Sequence, residues 1–150
     1  MNARFWIAIG AALGLFAINY AIAGKERIVR GGTPILLELA PVDPRSLMQG
    51  DYMALRFSIA NDLVSSDETR RDGRHYTAPI RIDANRVAHV DANGTHKLRY
   101  RWRNNGPWIG TNAFFFEEGS AERYANAKFG EFRLDEDTGE AVLVGLVDRP

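Results

Sequence analysis

Residues 5–23 read FWIAIGAALGLFAINYAIA, nineteen residues without a formally charged side chain. A helix of this length extends about 28 Å at ~1.5 Å per residue, close to the thickness of a bilayer's hydrocarbon core. Trp6 and Tyr20 lie near its two ends, where amphipathic rings prefer the membrane interface. The sequence therefore predicts a single N-terminal transmembrane helix.

One side of this predicted helix carries only small residues. At about 100° per residue, Gly10, Gly14, Ala17 and Ala21 fall in one narrow stripe. Small residues let two transmembrane backbones approach closely, so the stripe predicts packing against a multi-pass partner or a second copy of the chain. A cleaved signal peptide is the alternative, because residues 21–23 (AIA) form an A-x-A cleavage site. The stripe favours a retained signal anchor.

The composition excludes several kinds of site. The chain has 150 residues and no cysteine, which removes disulfides, thiolate metal ligands and cysteine nucleophiles. Its 19 basic residues balance 19 acidic ones, so no overall field favours nucleic acid. We expect a signal-anchor helix over 1–24, a polar linker over 25–33 and one soluble domain over 34–150.

Beyond residue 33, short apolar runs alternate with clusters of turn-forming residues, a pattern typical of β-strands. Met53, Leu55 and Phe57, for example, share one face of a predicted strand. The prediction is a mainly β, hairpin-rich domain of about seven short strands with one or two short helices, preceded by the transmembrane helix. The predicted strands are 34–40, 51–59, 79–83, 86–91, 95–102, 113–117, 131–135 and 140–147.

Short helical segments are predicted at two places. Asp43 and Pro44 suit a helix cap and a first helical position, which predicts one helical turn that ends at Gly50. Ser120 is the predicted cap of a second short helix. The polar residues 61–76 are predicted to form an exposed loop.

The dipeptide Asn93-Gly94 predicts a two-residue turn that joins strands 86–91 and 95–102 into a hairpin. Asp91 would then pair across to His96, with His89 one pair further in. Cross-strand pairing of this kind is common in sheets, so we expect a structural role for these groups. No metal or other cofactor is predicted.

The second strand of that hairpin carries bases on alternate residues. Its basic strand face consists of Lys97, Arg99, Arg101 and Arg103. We expect this face to be a solvated outer surface or a contact with anionic lipid headgroups. Because residues 98, 100 and 102, which are apolar or aromatic, lie on the opposite face, the pattern does not favour nucleic acid.

Residues 50–57 read GDYMALRF and follow the segment PVDPRSL at 41–47. Together they resemble the signature of the GDYXXLXY family of bacterial membrane-anchored proteins, with Phe57 in place of the family's final tyrosine. Glycine ends the preceding turn, and the two aspartates accept backbone N–H groups or pair with the nearby arginine. We expect this segment to form a structural latch composed of Asp43, Pro44, Arg45, Gly50, Asp51, Tyr52, Leu55 and Phe57.

The resemblance implies an N-terminal membrane segment and a small soluble domain of unknown function, encoded beside multi-pass membrane proteins. We therefore expect a single-pass, non-enzymatic accessory subunit of the bacterial inner membrane that contacts the lipid bilayer and a polytopic partner. A signal-like segment followed by a domain usually exports that domain, so the domain is expected in the periplasm. The alternative is a small membrane-bound hydrolase or ligand-binding domain that uses Asp43, Arg45, Asp51 and Tyr52.

Overall fold

The computed structural model describes residues 3–40, 48–49, 52–64, 71–104 and 106–150. Within these ranges the chain forms a long N-terminal helix, two short helices and a series of short strands. The helices are α1 Ala3–Gly31, α2 Ile59–Val64 and α3 Ala121–Tyr124. The strands are β1 Thr33–Glu38, β2 Met48–Gln49, β3 Tyr52–Ala54, β4 His75–Ile82, β5 Ala88–Val90, β6 His96–Arg103, β7 Gly106–Trp108, β8 Ala113–Phe115, β9 Phe129–Leu134 and β10 Ala141–Val147.

The strands form three antiparallel sheets, with the orders β1-β9-β10, β2-β3-β8 and β5-β4-β6-β7. Isolated bridges connect the sheets: Leu36 pairs with Val87, and Leu39 pairs with Phe57. The backbone N–H of Arg99 also donates to the carbonyl of Gly139, at 2.6 Å. The three sheets therefore enclose one common space.

That space is filled by a single hydrophobic core, to which all three sheets contribute. Strand β1 is apolar on both faces, and residues 35–37 are each at most 1% exposed. Helix α2 covers part of the core with Leu63, and the Phe132 ring lies edge-on to Phe57, with ring centroids 5.2 Å apart. Burial of these side chains is the main favourable term for folding.

The predicted fold class is confirmed: the domain is mainly β, with two short helices among the described residues and a long apolar helix before it. The predicted closing hairpin corresponds to β9 and β10, which pair from Ala141 with Leu134 to Val147 with Phe129. Helix α3 begins after Ser120 as expected, but the Ser120 side chain makes no capping hydrogen bond.

The predicted hairpin across Asn93-Gly94 is wrong. Strand β4 lies between β5 and β6, and both strands pair with it. Ile80 faces Val90 on one edge of β4 and His96 on the other. The connection 91–95 therefore crosses β4, and the expected Asp91–His96 pair does not form.

Gly94 explains how the chain makes this crossing. A Cβ atom at this position would lie 2.3 Å from the carbonyl oxygen of Ile80, well inside van der Waals contact. Gly94 is not among the residues with positive φ, so it does not supply the left-handed conformation of a type I′ turn. Its role is to let two backbones approach closely, which a two-residue motif in the sequence does not reveal.

Three further local predictions need correction. Met48–Gln49 is a strand paired with β3, so the predicted helical turn does not extend to Gly50; residues 43–47 and 50 lie outside the described residues. The predicted strand 51–59 is regular only over Tyr52–Ala54, and α2 occupies Ile59–Val64, where strand and loop were expected. Ile59 and Leu63, four residues apart, are both buried and therefore favour a helix.

Most of the predicted linker over 25–33 is helical. Helix α1 continues without a break to Gly31, and Thr33 already belongs to β1. At ~1.5 Å per residue the helix is about 43 Å long, so its last turns extend beyond a hydrocarbon core about 30 Å thick.

Candidate functional site

The last two turns of α1 pack against the β9–β10 hairpin. Ile28 is 7% exposed, so its side chain is buried against the domain. The Lys25 ammonium forms an ion pair with the Glu140 carboxylate. Arg27 lies close enough to Asp135 to contribute to lowering the pKa of that carboxyl. The helix is thus joined to the domain by an apolar contact and by charged contacts.

Gly32 makes the sharp passage from α1 to β1. Its N–H donates to the Ile28 carbonyl at 2.8 Å. A Cβ atom at Gly32 would lie 2.6 Å from the Ile28 oxygen and 2.9 Å from the Leu134 oxygen. A Cβ atom at Gly31 would meet nothing within 4 Å. The junction therefore requires glycine at residue 32 alone.

The acidic turn between β9 and β10 lies beside this junction. Hydrogen bonds from the Thr138 hydroxyl, at 2.9 Å, and the Asp137 N–H, at 3.0 Å, hold the pKa of Asp135 below its usual value. Burial raises the pKa of Glu136, but hydrogen bonds from His96 and Thr33 outweigh it and lower the pKa overall. The His96 Nδ1 lies 2.7 Å from Glu136. The hydrogen bonds of these two carboxylates thus lie within the turn and to residues of β1 and β6.

His89 and Asp91, on the first strand of the predicted hairpin, contact other residues. His89 Nε2 lies 3.4 Å from Asp83, while Asp91 accepts a hydrogen bond from Arg81 at 3.1 Å. Across the ranges described by the structure, no cluster of three or more histidine, aspartate or glutamate side chains has the geometry to hold a metal ion.

The predicted helix-packing residues lie on the apolar part of α1. Gly10, Gly14, Ala17 and Ala21 are all exposed, and Cβ atoms at the two glycines would meet nothing within 4 Å. Among the described residues, α1 is the one helix long and apolar enough to cross a membrane, over Phe5–Gly31. Its small-residue face is therefore open along the apolar segment.

Lys97, Arg99, Arg101 and Arg103 alternate with more deeply buried residues along β6. The register adds residues of neighbouring strands that sequence reasoning missed: His75 and Trp108 both lie opposite Arg101. Arg81 lies two residues along β4 from the partner of Lys97 and shares its face. Together these residues form the cationic face: His75, Arg81, Lys97, Arg99, Arg101, Arg103 and Trp108.

Trp108 adds an aromatic ring to this otherwise charged face. The Arg103 guanidinium lies 5.1 Å from the centre of its ring, a cation–π distance, and its indole N–H donates to the Gly110 carbonyl at 3.2 Å. The apolar and aromatic residues of β6 itself alternate with the bases as expected, and Trp108 of β7 adds an aromatic ring to the face that carries the bases. The sequence signal was missing because strand pairing, not spacing, brings Trp108 beside the arginines.

A cleft of about 200 Å³ opens between the cationic face and the start of β10. Its lining includes Glu140 and four residues of the cationic face: His75, Arg99, Arg101 and Trp108. The Glu140 carboxylate is engaged by Lys25 of α1. The cleft therefore lies directly beside the helix junction.

The structure places three residues of the predicted latch. Leu55 and Phe57 are buried in the core, at 4% and 5% exposure. The Tyr52 ring packs against Phe115, with centroids 5.7 Å apart, and Phe115 is 74% exposed. The other five predicted latch residues lie outside the described residues: Asp43, Pro44, Arg45, Gly50 and Asp51.

The fold and the junction define a class of protein: a small β domain packed directly against the end of one N-terminal helix that is long and apolar enough to be a single-pass membrane anchor. The chain belongs to the GDYXXLXY family, described as GDYXXLXY protein, whose family model matches residues 14–146. The match begins inside the apolar helix and covers most of the chain. No curated protein and no solved structure matches the chain.

Proposed function

We propose that this protein is a non-enzymatic accessory subunit that docks onto a multi-pass protein of the bacterial inner membrane, with its β domain in the periplasm. The observation that carries the proposal is the unbroken junction between α1 and the β9–β10 hairpin, where Ile28 is buried and Lys25 pairs with Glu140. A flexible linker would let the domain move independently of its anchor. This junction instead fixes the direction of the small-residue face relative to the domain.

A fixed junction favours binding to one large partner. Two surfaces held in a set orientation lose little further freedom when both contact the same protein, so their contributions combine. The small residues Gly10 and Gly14 allow close helix packing within the membrane. The exposed Phe115 offers a second, apolar contact on the domain.

The first experiment tests the membrane contact. The tagged full chain is purified from native membranes in mild detergent, and co-purifying proteins are identified by mass spectrometry. We expect a multi-pass protein in stoichiometric amount, and its loss when Gly10 and Gly14 are both replaced by leucine. The matched control is the Ala8→Leu, Ala12→Leu variant, which enlarges small residues on the opposite side of α1 and should retain the partner.

A second variant tests the rigid coupling. Insertion of one alanine after Ala23 rotates the membrane segment by about 100° relative to the domain while it lengthens the helix by only ~1.5 Å. If both surfaces contact one partner, this variant loses it although membrane insertion and domain folding are unchanged. Retention of the partner would contradict the coupled docking. Recovery of a second copy of the chain alone would show a homodimer instead.

A further inference from the structure

The cationic face carries charges that the domain does not neutralise. Among the described residues, the side chains of Lys97 and Arg99 form no ion pair, whereas Arg81 pairs with Asp91. Glu140 is the acidic group in the adjoining cleft, and it pairs with Lys25. Two neighbouring cations are thus left available at this end of β6.

The anchor places these cations near the bilayer surface. Lys25 lies two residues beyond the apolar segment, about 3 Å along the helix, and polar headgroups occupy about 5–7 Å on each side of the hydrocarbon core. The ion pair with Lys25 therefore holds Glu140 at headgroup level. Gly139, its neighbour, accepts the backbone hydrogen bond from Arg99. Arg99 is thus two short contacts away from α1.

We propose that Lys97 and Arg99, with the cleft beside Trp108, bind the phosphates of anionic phospholipids in the bilayer that holds α1. This inference rests on the membrane anchoring in the proposed function and adds a lipid site to it. The cleft volume of about 200 Å³ accommodates a phosphate group. Arginine donates paired hydrogen bonds to phosphate oxygens, and tryptophan favours the interface.

The test uses the full chain in nanodiscs with a fluorescent donor on Thr77→Cys. Thr77 is exposed opposite Arg99, and the chain has no other cysteine. Acceptors are attached to lipid headgroups, and nanodiscs of phosphatidylcholine alone are compared with nanodiscs that also contain phosphatidylglycerol. We expect energy transfer to rise with the phosphatidylglycerol fraction and to fall at high salt, because the contact is electrostatic.

The matched variants remove the same charge at two places. Lys97→Gln with Arg99→Gln should weaken binding to phosphatidylglycerol by roughly 25-fold, at about fivefold per cation near the membrane surface. Arg123→Gln with Lys128→Gln removes two exposed cations near α3 and should leave the response unchanged. Equal transfer in both lipid mixtures, an equal loss in the two double variants, or full competition by inorganic phosphate would overturn the lipid site. Failure of the chain to remain in nanodiscs would instead contradict the anchoring.

Discussion

At the scale of single residues, the fold needs glycine where another part of the backbone leaves no space for a Cβ atom. A Cβ atom at Gly94 would meet the carbonyl oxygen of Ile80 at 2.3 Å, whereas one at Gly145 would meet nothing within 4 Å. Gly94 lies in the connection between β5 and β6 and Gly145 lies within β10, and the sequence does not show at which of them a Cβ atom would clash. The structure assigns the first to the crossing over β4 and leaves the second without a steric role.

Gly94→Ala is expected to lower the free energy of unfolding by about 1–3 kcal/mol, the usual cost of forcing extra atoms into a packed site. The measurement is urea unfolding of the full chain in detergent, followed by tryptophan fluorescence, to which Trp102 contributes from its position against the core. Gly145→Ala is the control and should change stability little. Equal stability of the two variants would contradict the crossing.

The stability of the fold at acid pH is expected to depend on Asp135. Its pKa is lowered in the fold, chiefly by the Thr138 hydroxyl, so its ionised form is favoured by the folded state. The stabilisation is fully present above the usual value of 3.8 and is lost as the pH falls through the lower folded pKa. Asp135→Asn should therefore flatten the acid side of the stability profile. Asp137→Asn, in the same turn, controls for a change of charge alone; an equal effect would show that the hydrogen bonds of Asp135 are unimportant.

At the scale of elements, the end of the long helix packs directly against the closing hairpin, β9–β10. Ile28 is buried against the domain, and Gly32 allows β1 to begin directly after the helix. Sequence reasoning expected a linker here because residues 25–33 are polar and contain two adjacent glycines. Tertiary contacts with β9 and β10 extend the helix over these residues instead.

Gly32→Ala is expected to loosen this junction, because its Cβ atom would meet two carbonyl oxygens at 2.6 and 2.9 Å. Trypsin cleavage after Lys25, Arg27 or Arg30 reports local opening, and we expect it to become roughly tenfold faster. Gly31→Ala, at the adjacent and open position, should be cleaved at the wild-type rate. Similar rates for the two variants would show that residue 32 does not hold the junction together.

At the scale of the whole molecule, the proposed anchoring by α1 would determine which surfaces face lipid and which face solvent. The apolar part of α1 is exposed in the isolated chain, and the cationic face begins next to the junction. The side of the membrane on which the domain lies is a separate part of the proposal, which places it in the periplasm.

The domain's side of the membrane can be tested with a single thiol. The chain contains no cysteine, and Asn126 is exposed after α3, so Asn126→Cys provides one reactive site. A membrane-impermeant maleimide should label this variant in cells whose outer membrane alone is permeabilised. Labelling only after lysis of the inner membrane would place the domain in the cytoplasm. The intact mass of the labelled chain would also reveal cleavage after Ala23.

The sequence by itself determined the apolar helix, the mainly β class and the family, because these depend on local composition, periodicity and a short motif. Only the tertiary structure decided the insertion of β4 between β5 and β6, the helical junction and the addition of Trp108 to the cationic face. Each depends on contacts between residues distant in the chain: Gly94 with Ile80, Ile28 with the β9–β10 hairpin, and Trp108 with Arg103. Local preferences are too weak to specify such contacts, since burial in a common core overrides them.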